Sequence, residues 1–113
     1  MTTDPPRPPI GPATPAAIIY TSGTTAPSEG CLLSHNYLVG RSVTAQRSIG
    51  RQRGDVLWTP LPLCHINAIT FALIGTLLVG GSAVIAPRFS LRSFWDDVAE
   101  CSATIACLMG SLA

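Results

Sequence analysis

The sequence predicts an α/β fold with a partial parallel β-sheet and flanking helices. Short apolar runs alternate with helical patterns of about 10 or more residues, and this order implies parallel strands joined by right-handed crossovers. The chain has 113 residues, of which 47% are hydrophobic and 12% are charged. That length allows one domain at most, and that composition is typical of a globular core rather than of a disordered segment.

A proline-rich segment precedes the predicted domain. Residues 1–15 contain Pro5, Pro6, Pro8, Pro9, Pro12 and Pro15, out of ten prolines in the whole chain. Proline fixes φ and lacks a backbone donor. We therefore expect a disordered, extended tail over 1–15 and the folded part over 16–113.

Apolar runs bounded by proline, glycine or small polar residues predict the strands. They cover residues 16–20, 31–33, 55–59, 82–86 and 103–108. Residues 66–86 are long and apolar enough to suggest a membrane span, but glycines and polar residues interrupt them. A buried helix followed by a buried strand explains this run better, because strands of a covered parallel sheet show neither face to water.

The spacing of apolar residues and the positions of polar residues predict where helices begin and end. A first helix should begin at Ser34 or His35 and end before Gly50. Asn67 is expected to cap a second helix, with a place at the edge of a pocket as the alternative, and Ser90 to cap a third.

Several side chains are expected to be structural rather than functional. Trp58 and Trp95 are predicted in the core, and Arg51 and Arg53 in a solvated turn. The four cysteines lack CxxC spacing, so we expect buried thiols in a reducing cytoplasm and neither a metal site nor disulfides. They are Cys31, Cys64, Cys101 and Cys107.

The net charge excludes some classes of partner. Seven arginines and six acidic residues give a formal charge of +1. A nearly neutral chain is not expected to bind nucleic acid or an anionic membrane by electrostatic attraction.

The loop after the first strand carries the strongest chemical signal. The segment YTSGTTAPSEG, residues 20–30, places hydroxyl groups on both sides of Gly23. Such groups, together with backbone N–H groups, can converge on a phosphate, although the segment does not fit the GxxxxGK[ST] pattern. From the residues alone, a plain turn remains the more common alternative. The hydroxyl groups belong to Thr21, Ser22, Thr24 and Thr25.

Two segments resemble the adenylate-forming superfamily, which includes acyl-CoA synthetases, luciferases and peptide-synthetase adenylation domains. YTSGTT followed by Ser34 and His35 resembles the signature YTSGTTGxPKGVxxSH, and residues 61–98 resemble the block that follows in acyl-CoA ligases. The resemblance implies a slice of the large domain of such an enzyme, so that residues 16–113 form a partial AMP-binding domain.

The resemblance also implies roles for individual residues. Residues 21–25 and Gly30 match the loop around the ATP phosphates, and His65 matches a histidine of the acyl pocket. Without the family, a satisfied core histidine is the preferred interpretation of His65. No catalytic residue is assigned. The family uses ATP with Mg²⁺, a carboxylic acid and coenzyme A. The loop residues are Thr21, Ser22, Gly23, Thr24, Thr25 and Gly30.

The chain departs from the signature at the position of its phosphate-binding lysine. Glu29 stands there, and Ala26 and Ser28 replace a glycine and a proline. Two like unit charges about 4 Å apart repel by several kcal/mol at an intermediate dielectric, so ATP binding should be weakened.

Three functions are compatible with these features. The first is a truncated AMP-dependent acyl-CoA ligase, of a kind acting in fatty acid metabolism, that is inactive alone because the parts needed to hold both substrates are absent. The second is a non-catalytic remnant that binds a nucleotide or a protein and self-associates through exposed sheet edges. The third, a small membrane protein, is the least favoured.

Overall fold

The computed structural model of the chain describes residues 8–21 and 27–110. All the predicted strands are present within these residues. The strands are β1 (Pro15–Tyr20), β2 (Gly30–Ser34), β3 (Val56–Thr59), β4 (Ser82–Ile85) and β5 (Ile105–Ala106). The helical segments are α1 (His35–Ser48), a π-helical segment (Ala68–Ile74), α2 (Gly75–Leu78) and α3 (Phe94–Glu100).

The strands form two separate sheets. β3 lies between β4 and β5 in a three-stranded sheet, and both pairings are parallel as predicted. β1 and β2 instead form an antiparallel hairpin, which the prediction of parallel pairing did not include. The reason is the connection: the loop between β1 and β2 is too short for a parallel crossover, which takes a dozen or more residues.

The core lies on β3. Leu57 and Trp58 are 0% and 2% exposed, and the predicted core position of Trp58 is confirmed. The ring of Phe94 packs edge-on against Trp58, with 5.4 Å between centroids. Trp95, the next residue of α3, is 74% exposed, so its predicted core position is wrong. One step along a helix turns the side chain by about 100°, and this step carries Trp95 away from the sheet.

The first helix begins and ends where the sequence predicts. The Ser34 hydroxyl accepts a hydrogen bond from the Tyr37 N–H at 3.2 Å, which is an N-cap interaction. The N–H of His35 donates to the Thr14 carbonyl, so the end of the proline-rich segment contacts the start of this helix. Gly50 has a φ of +65°, a conformation that suits glycine after a helix. The division of the chain at residue 15 stays a prediction.

The two other predicted caps are wrong. Asn67 has helical dihedral angles and no capping hydrogen bond from its side chain, because the chain is already helical there. Ser90 lies before a turn at residues 91–93, and α3 begins after Ser93 instead. Asp96 and Asp97 lie in the first turn of α3, the end of a helix where negative charge is favoured.

The two arginines of the predicted solvated turn differ in their exposure to solvent. Arg53 is exposed as expected, but Arg51 is only 5% exposed. The Arg51 Nη1 donates to the Phe71 carbonyl at 2.7 Å and to the Thr76 hydroxyl at 2.9 Å. The π-helical segment and α2 are continuous and together form the second helix. The end of α1 turns Arg51 toward this helix, and the local sequence does not reveal this contact.

One face of the hairpin is apolar and open. Ile18, Tyr20 and Leu32 are all more than half exposed. The predicted self-association of the chain stays a prediction. In the described part of the chain, no helix combines the length and the apolar character needed to cross a bilayer.

Gly75 is expected to tolerate no side chain. A Cβ there would lie 2.9 Å from both the Thr70 carbonyl oxygen and Nη1 of Arg51. We expect Gly75→Ala to lower the free energy of unfolding by about 1–3 kcal/mol through overpacking. Urea denaturation followed by circular dichroism measures the change.

Gly40 provides the matched control within a helix. No atom outside its own helix lies within 4 Å of a Cβ at this position. Gly40→Ala should therefore raise the stability by up to about 1 kcal/mol through helix propensity. Equal effects of the two substitutions would contradict the close packing at Gly75.

Asp55 is expected to make the stability depend on acid pH. Its carboxylate accepts hydrogen bonds from the Gln52 N–H at 2.7 Å and from the Thr104 hydroxyl at 2.9 Å. These bonds, with the backbone bond as the main cause, lower the pKa of Asp55 below its ordinary value of 3.8. The unfolded chain therefore takes up the proton first, so the stabilisation is complete above the unfolded pKa and is lost as pH falls toward the folded pKa.

Asp55→Asn should accordingly flatten the decline in stability below about pH 4. Chemical denaturation at a series of pH values measures this decline. Asp96→Asn makes the same charge change at an exposed position of α3 and serves as the control. A decline that is as steep in Asp55→Asn as in the control would rule out this role for Asp55.

Candidate functional site

Hydrogen bonds between Thr21 and Glu29 close the base of the hydroxyl-rich loop. The Thr21 N–H donates to the Glu29 carbonyl at 2.9 Å, and the Glu29 N–H donates to the Thr21 hydroxyl at 3.3 Å. These bonds extend the hairpin by one residue pair beyond Tyr20 and Gly30. They also place the exposed Glu29 at the base of the loop. The other predicted phosphate-binding residues, Ser22, Gly23, Thr24 and Thr25, lie outside the described residues.

Gly30 has a packing role at the start of β2. A Cβ on Gly30 would lie 3.0 Å from Cγ2 of Ile18 and 3.3 Å from the Tyr20 ring. Glycine therefore lets the Tyr20 side chain lie across the neighbouring strand. The predicted contact of Gly30 with phosphate stays a prediction.

A groove of about 550 Å³ brings two predicted site residues together. Thr21 lines one side of this hairpin groove, and His65 lines another. His65 is exposed, so the alternative of a buried core histidine is wrong. The hairpin groove is lined by Ala17, Ile18, Ile19, Tyr20, Thr21, Ser28, Leu63, Cys64, His65 and Ile69.

The chain after β3 determines where His65 lies. Pro60 and Pro62 follow β3 directly, and proline is poorly suited to continue a central strand. The chain turns there, and the His65 N–H donates to the Pro62 carbonyl at 3.0 Å. The His65 carbonyl then accepts from the Ile69 N–H at 3.2 Å, which begins the helix. His65 is thus held between the end of the sheet and the start of the helix.

The same helix also lines a second, smaller groove of about 290 Å³ beside the sheet. His65 and Ile69 contribute to the hairpin groove, whereas Asn67 and Phe71 contribute to this sheet groove. Each pair is four residues apart, the spacing that puts two side chains on one helix face. The sheet groove is lined by Leu61, Asn67, Phe71, Ala106, Cys107, Leu108 and Met109.

Asn67 supplies a polar group to the sheet groove. Its amide oxygen accepts a hydrogen bond from Nη2 of Arg41 on α1, at 3.4 Å. The alternative of Asn67 as a residue at the edge of a pocket is therefore correct. Sequence reasoning did not connect Arg41 with Asn67, because the two residues are far apart in the chain and only the packing of the helices brings them together.

The cysteines differ from the prediction of uniformly buried thiols. All four are free, as predicted, but Cys31 and Cys64 are exposed and Cys101 and Cys107 are only partly buried. Burial raises the pKa of the Cys107 thiol, although a hydrogen bond with Thr59 and the charge of Arg51 oppose this effect. Cys107 therefore lines the sheet groove as a protonated thiol.

Comparison with known proteins agrees with this geometry. The sequence profile described as "AMP-binding enzyme" matches residues 2–113. The chain belongs to the AMP-binding enzyme family. It is 40% identical over 95 residues to sulfoacetate–CoA ligase of Cupriavidus necator and 37% identical over 98 residues to human long-chain fatty acid transport protein 5. These alignments cover 84% and 87% of this chain but 19% and 14% of the two relatives.

Solved structures of the family show the same fold. ATP-bound MatB from Rhodopseudomonas palustris superimposes with a TM-score of 0.76 at 36% identity, over 85% of this chain and 19% of that protein. A malonyl-CoA ligase complexed with methylmalonyl-CoA and AMP gives a TM-score of 0.73 at 29% identity, over 89% of this chain and 22% of that one. The predicted fold, a slice of the large domain of an adenylate-forming enzyme, is confirmed.

The exposed cysteines are expected to react first with an alkylating reagent. Cys64 lies in the hairpin groove and Cys31 on β2, both exposed, whereas burial keeps Cys107 protonated. The thiolate is the reactive form, so iodoacetamide at pH 8 should label Cys31 and Cys64 well before Cys107. Peptide mass spectrometry over time measures the order, and Cys107 reacting as fast as Cys64 would contradict it.

Proposed function

We propose that this chain supplies the triphosphate-binding loop and one wall of the acyl site of an ATP-dependent acyl-CoA ligase. The observation that carries the proposal is the hairpin groove, in which Thr21 at the base of the loop and His65 line one space. In the proposed reaction a carboxylate attacks the α-phosphate of ATP, pyrophosphate leaves, and the thiol of coenzyme A displaces AMP from the acyl adenylate. The relatives, which include long-chain fatty acid transport proteins and CoA ligases, support a carboxylic acid as substrate.

In this reaction, the residues of this chain would bind the charged phosphates and shape the hairpin groove. The Thr21 hydroxyl, the hydroxyl and N–H groups of residues 22–25 and the N–H of Gly30 would donate to the β- and γ-phosphates. Donors fixed before the reaction stabilise the charge that develops as pyrophosphate departs. His65 would lie against the acyl group, and the apolar residues beside it would exclude water.

The described residues do not form a magnesium-binding site. Between residues 8 and 21 and between 27 and 110, no three His, Cys, Asp or Glu side chains are grouped as metal ligands. We therefore assign no step of the reaction to the described residues acting through Mg²⁺. The alternative function, a non-catalytic remnant that binds a nucleotide or a protein, has no observation of its own in its favour.

Glu29 is expected to limit ATP affinity. It is exposed at the base of the loop, next to the position where the phosphates would lie. Solvent screens an exposed charge, so reversing it with Glu29→Lys should strengthen ATP binding about tenfold, or about 1.4 kcal/mol. Isothermal titration with ATP at low and high salt measures the gain, which should shrink as salt increases.

Two further variants control this experiment. Glu29→Gln removes the charge without reversing it and should give an intermediate affinity. Glu100→Lys makes the same reversal on α3, away from the loop, and should leave ATP affinity unchanged. An equal gain in Glu29→Lys and Glu100→Lys would show a non-specific charge effect and contradict the assignment of the loop to phosphate binding.

We further propose that the 113 residues do not complete the reaction by themselves. The chain spans less than a fifth of the lengths of the sulfoacetate–CoA ligase and the human transport protein that it matches. Catalysis by proximity requires both substrates to be held together. Incubation of the chain with ATP, labelled pyrophosphate and a series of fatty acids should give no exchange of label into ATP, and exchange above the protein-free blank would overturn this proposal.

A further inference from the structure

We infer that Arg51 is a positioning residue that holds the second helix in a π-helical register and thereby shapes the sheet groove. The π-helical register is a property of this fold and does not depend on the proposed function. Only the identity of the ligand in the groove rests on the proposed function.

The first observation is the burial of a side chain that ends in a charged group. Arg51 is 5% exposed, and Nη1 donates to the Phe71 carbonyl and to the Thr76 hydroxyl. The guanidinium carbon lies 4.8 Å from the centroid of the Phe71 ring. Arg51 therefore contacts both the backbone and the side chain of the residue that lines the sheet groove.

The second observation is the hydrogen-bonding pattern of the helix at the same place. In an α-helix the Gly75 N–H would donate to the Phe71 carbonyl, four residues earlier. In this structure it donates to the Thr70 carbonyl, five residues earlier, which is the π-helical pattern. The Phe71 carbonyl accepts from Arg51 instead. Arg51 thus occupies the acceptor that an α-helical register would use.

The third observation is that the backbone leaves room for the guanidinium. A Cβ on Gly75 would lie 2.9 Å from Nη1 of Arg51 and 3.4 Å from the Ser42 carbonyl of α1. A larger residue at Gly75 would therefore collide with the arginine. The glycine, the arginine and the π-helical register form one local arrangement.

Stability alone is a poor explanation for this arrangement. Nε and Nη2 of Arg51 are buried without a hydrogen-bond partner in the described structure. A buried cation with unsatisfied donors is costly, and apolar residues of similar volume often serve stability as well or better. Packing alone does not require an arginine at position 51. A role in fixing the geometry of the helix explains why one is there.

The register decides which side chains face the grooves. A π-helical segment contains one residue more than an α-helical one, and one residue corresponds to a rotation of about 100°. His65 precedes this segment and Phe71 lies within it. Loss of the π-helical register would therefore turn Phe71 relative to His65 and change the wall of the sheet groove.

Arg51→Met tests the register directly. It removes the donors and keeps an unbranched apolar side chain, and Arg53→Met makes the same change at an exposed arginine two residues away. Scalar couplings across hydrogen bonds, measured by NMR on the full chain, report the acceptor of the Gly75 N–H. We expect Thr70 as the acceptor in the wild type and in Arg53→Met, and Phe71 as the acceptor in Arg51→Met.

Arg51→Lys keeps the test decisive if Arg51→Met fails to fold. The ammonium group can still donate to the Phe71 carbonyl, so this conservative variant should retain Thr70 as the acceptor. A Thr70 acceptor in Arg51→Met, or a Phe71 acceptor in the wild type or in Arg51→Lys, would overturn the inference.

A second measurement follows the groove itself. Titration with decanoate, monitored by the methyl shifts of Leu61, Leu108 and Met109, should show at least tenfold weaker binding to Arg51→Met than to the wild type. Arg53→Met and Arg51→Lys should bind within threefold of the wild type. Unchanged affinity in Arg51→Met would overturn the effect on the groove. A wild type in which decanoate shifts none of these methyl groups would refute the sheet groove as a ligand site, while the hydrogen-bond couplings would still decide the role of Arg51 in the helix.

Discussion

The pairing of β3 with a strand on each side is the constraint on which the rest of the structure depends. β3 is short, yet its residues Leu57, Trp58 and Thr59 are almost completely buried. The Thr59 hydroxyl donates to the Cys107 carbonyl and accepts from the Leu61 N–H. One strand thus fixes both the chain after β5 and the turn that leads to His65. Because a buried backbone must satisfy its polar groups, neither segment can shift without breaking hydrogen bonds in the core.

The proposed site combines two parts of the fold that are packed differently. The sheet and the second helix are fixed by buried contacts, including that of Arg51 with Phe71. The hairpin contacts this unit mainly through α1 and keeps one apolar face open. Hydrogen bonds between Thr21 and Glu29 join the two ends of the loop. In the proposed function, the phosphate-binding loop therefore extends from the hairpin and not from the central strand.

Glu29 and Arg51 differ both in the sign of their charge and in their burial. At the loop, the exposed Glu29 adds negative charge where the family signature has a lysine. Beneath the second helix, the buried Arg51 adds positive charge that is not matched by a hydrogen-bonded carboxylate in the described residues. Solvent screens the first charge, whereas burial strengthens the second. We therefore expect Glu29 to affect ligand affinity through its charge, and Arg51 to affect it through the geometry of the helix.

The sequence by itself determined the order of strands and helices, the cap at Ser34, the loop motif and the family. Each of these depends on residues close together in the chain, where periodicity, capping and turn chemistry act locally. Only the tertiary structure decided that Arg51 is buried, that Trp95 is exposed, that β1 and β2 pair antiparallel, and that Thr21 and His65 share a groove. These features depend on which distant segments pack together, and a local pattern contains no information about that packing. The π-helical register is the clearest case, because an arginine well before the helix in sequence competes for one of its carbonyl groups.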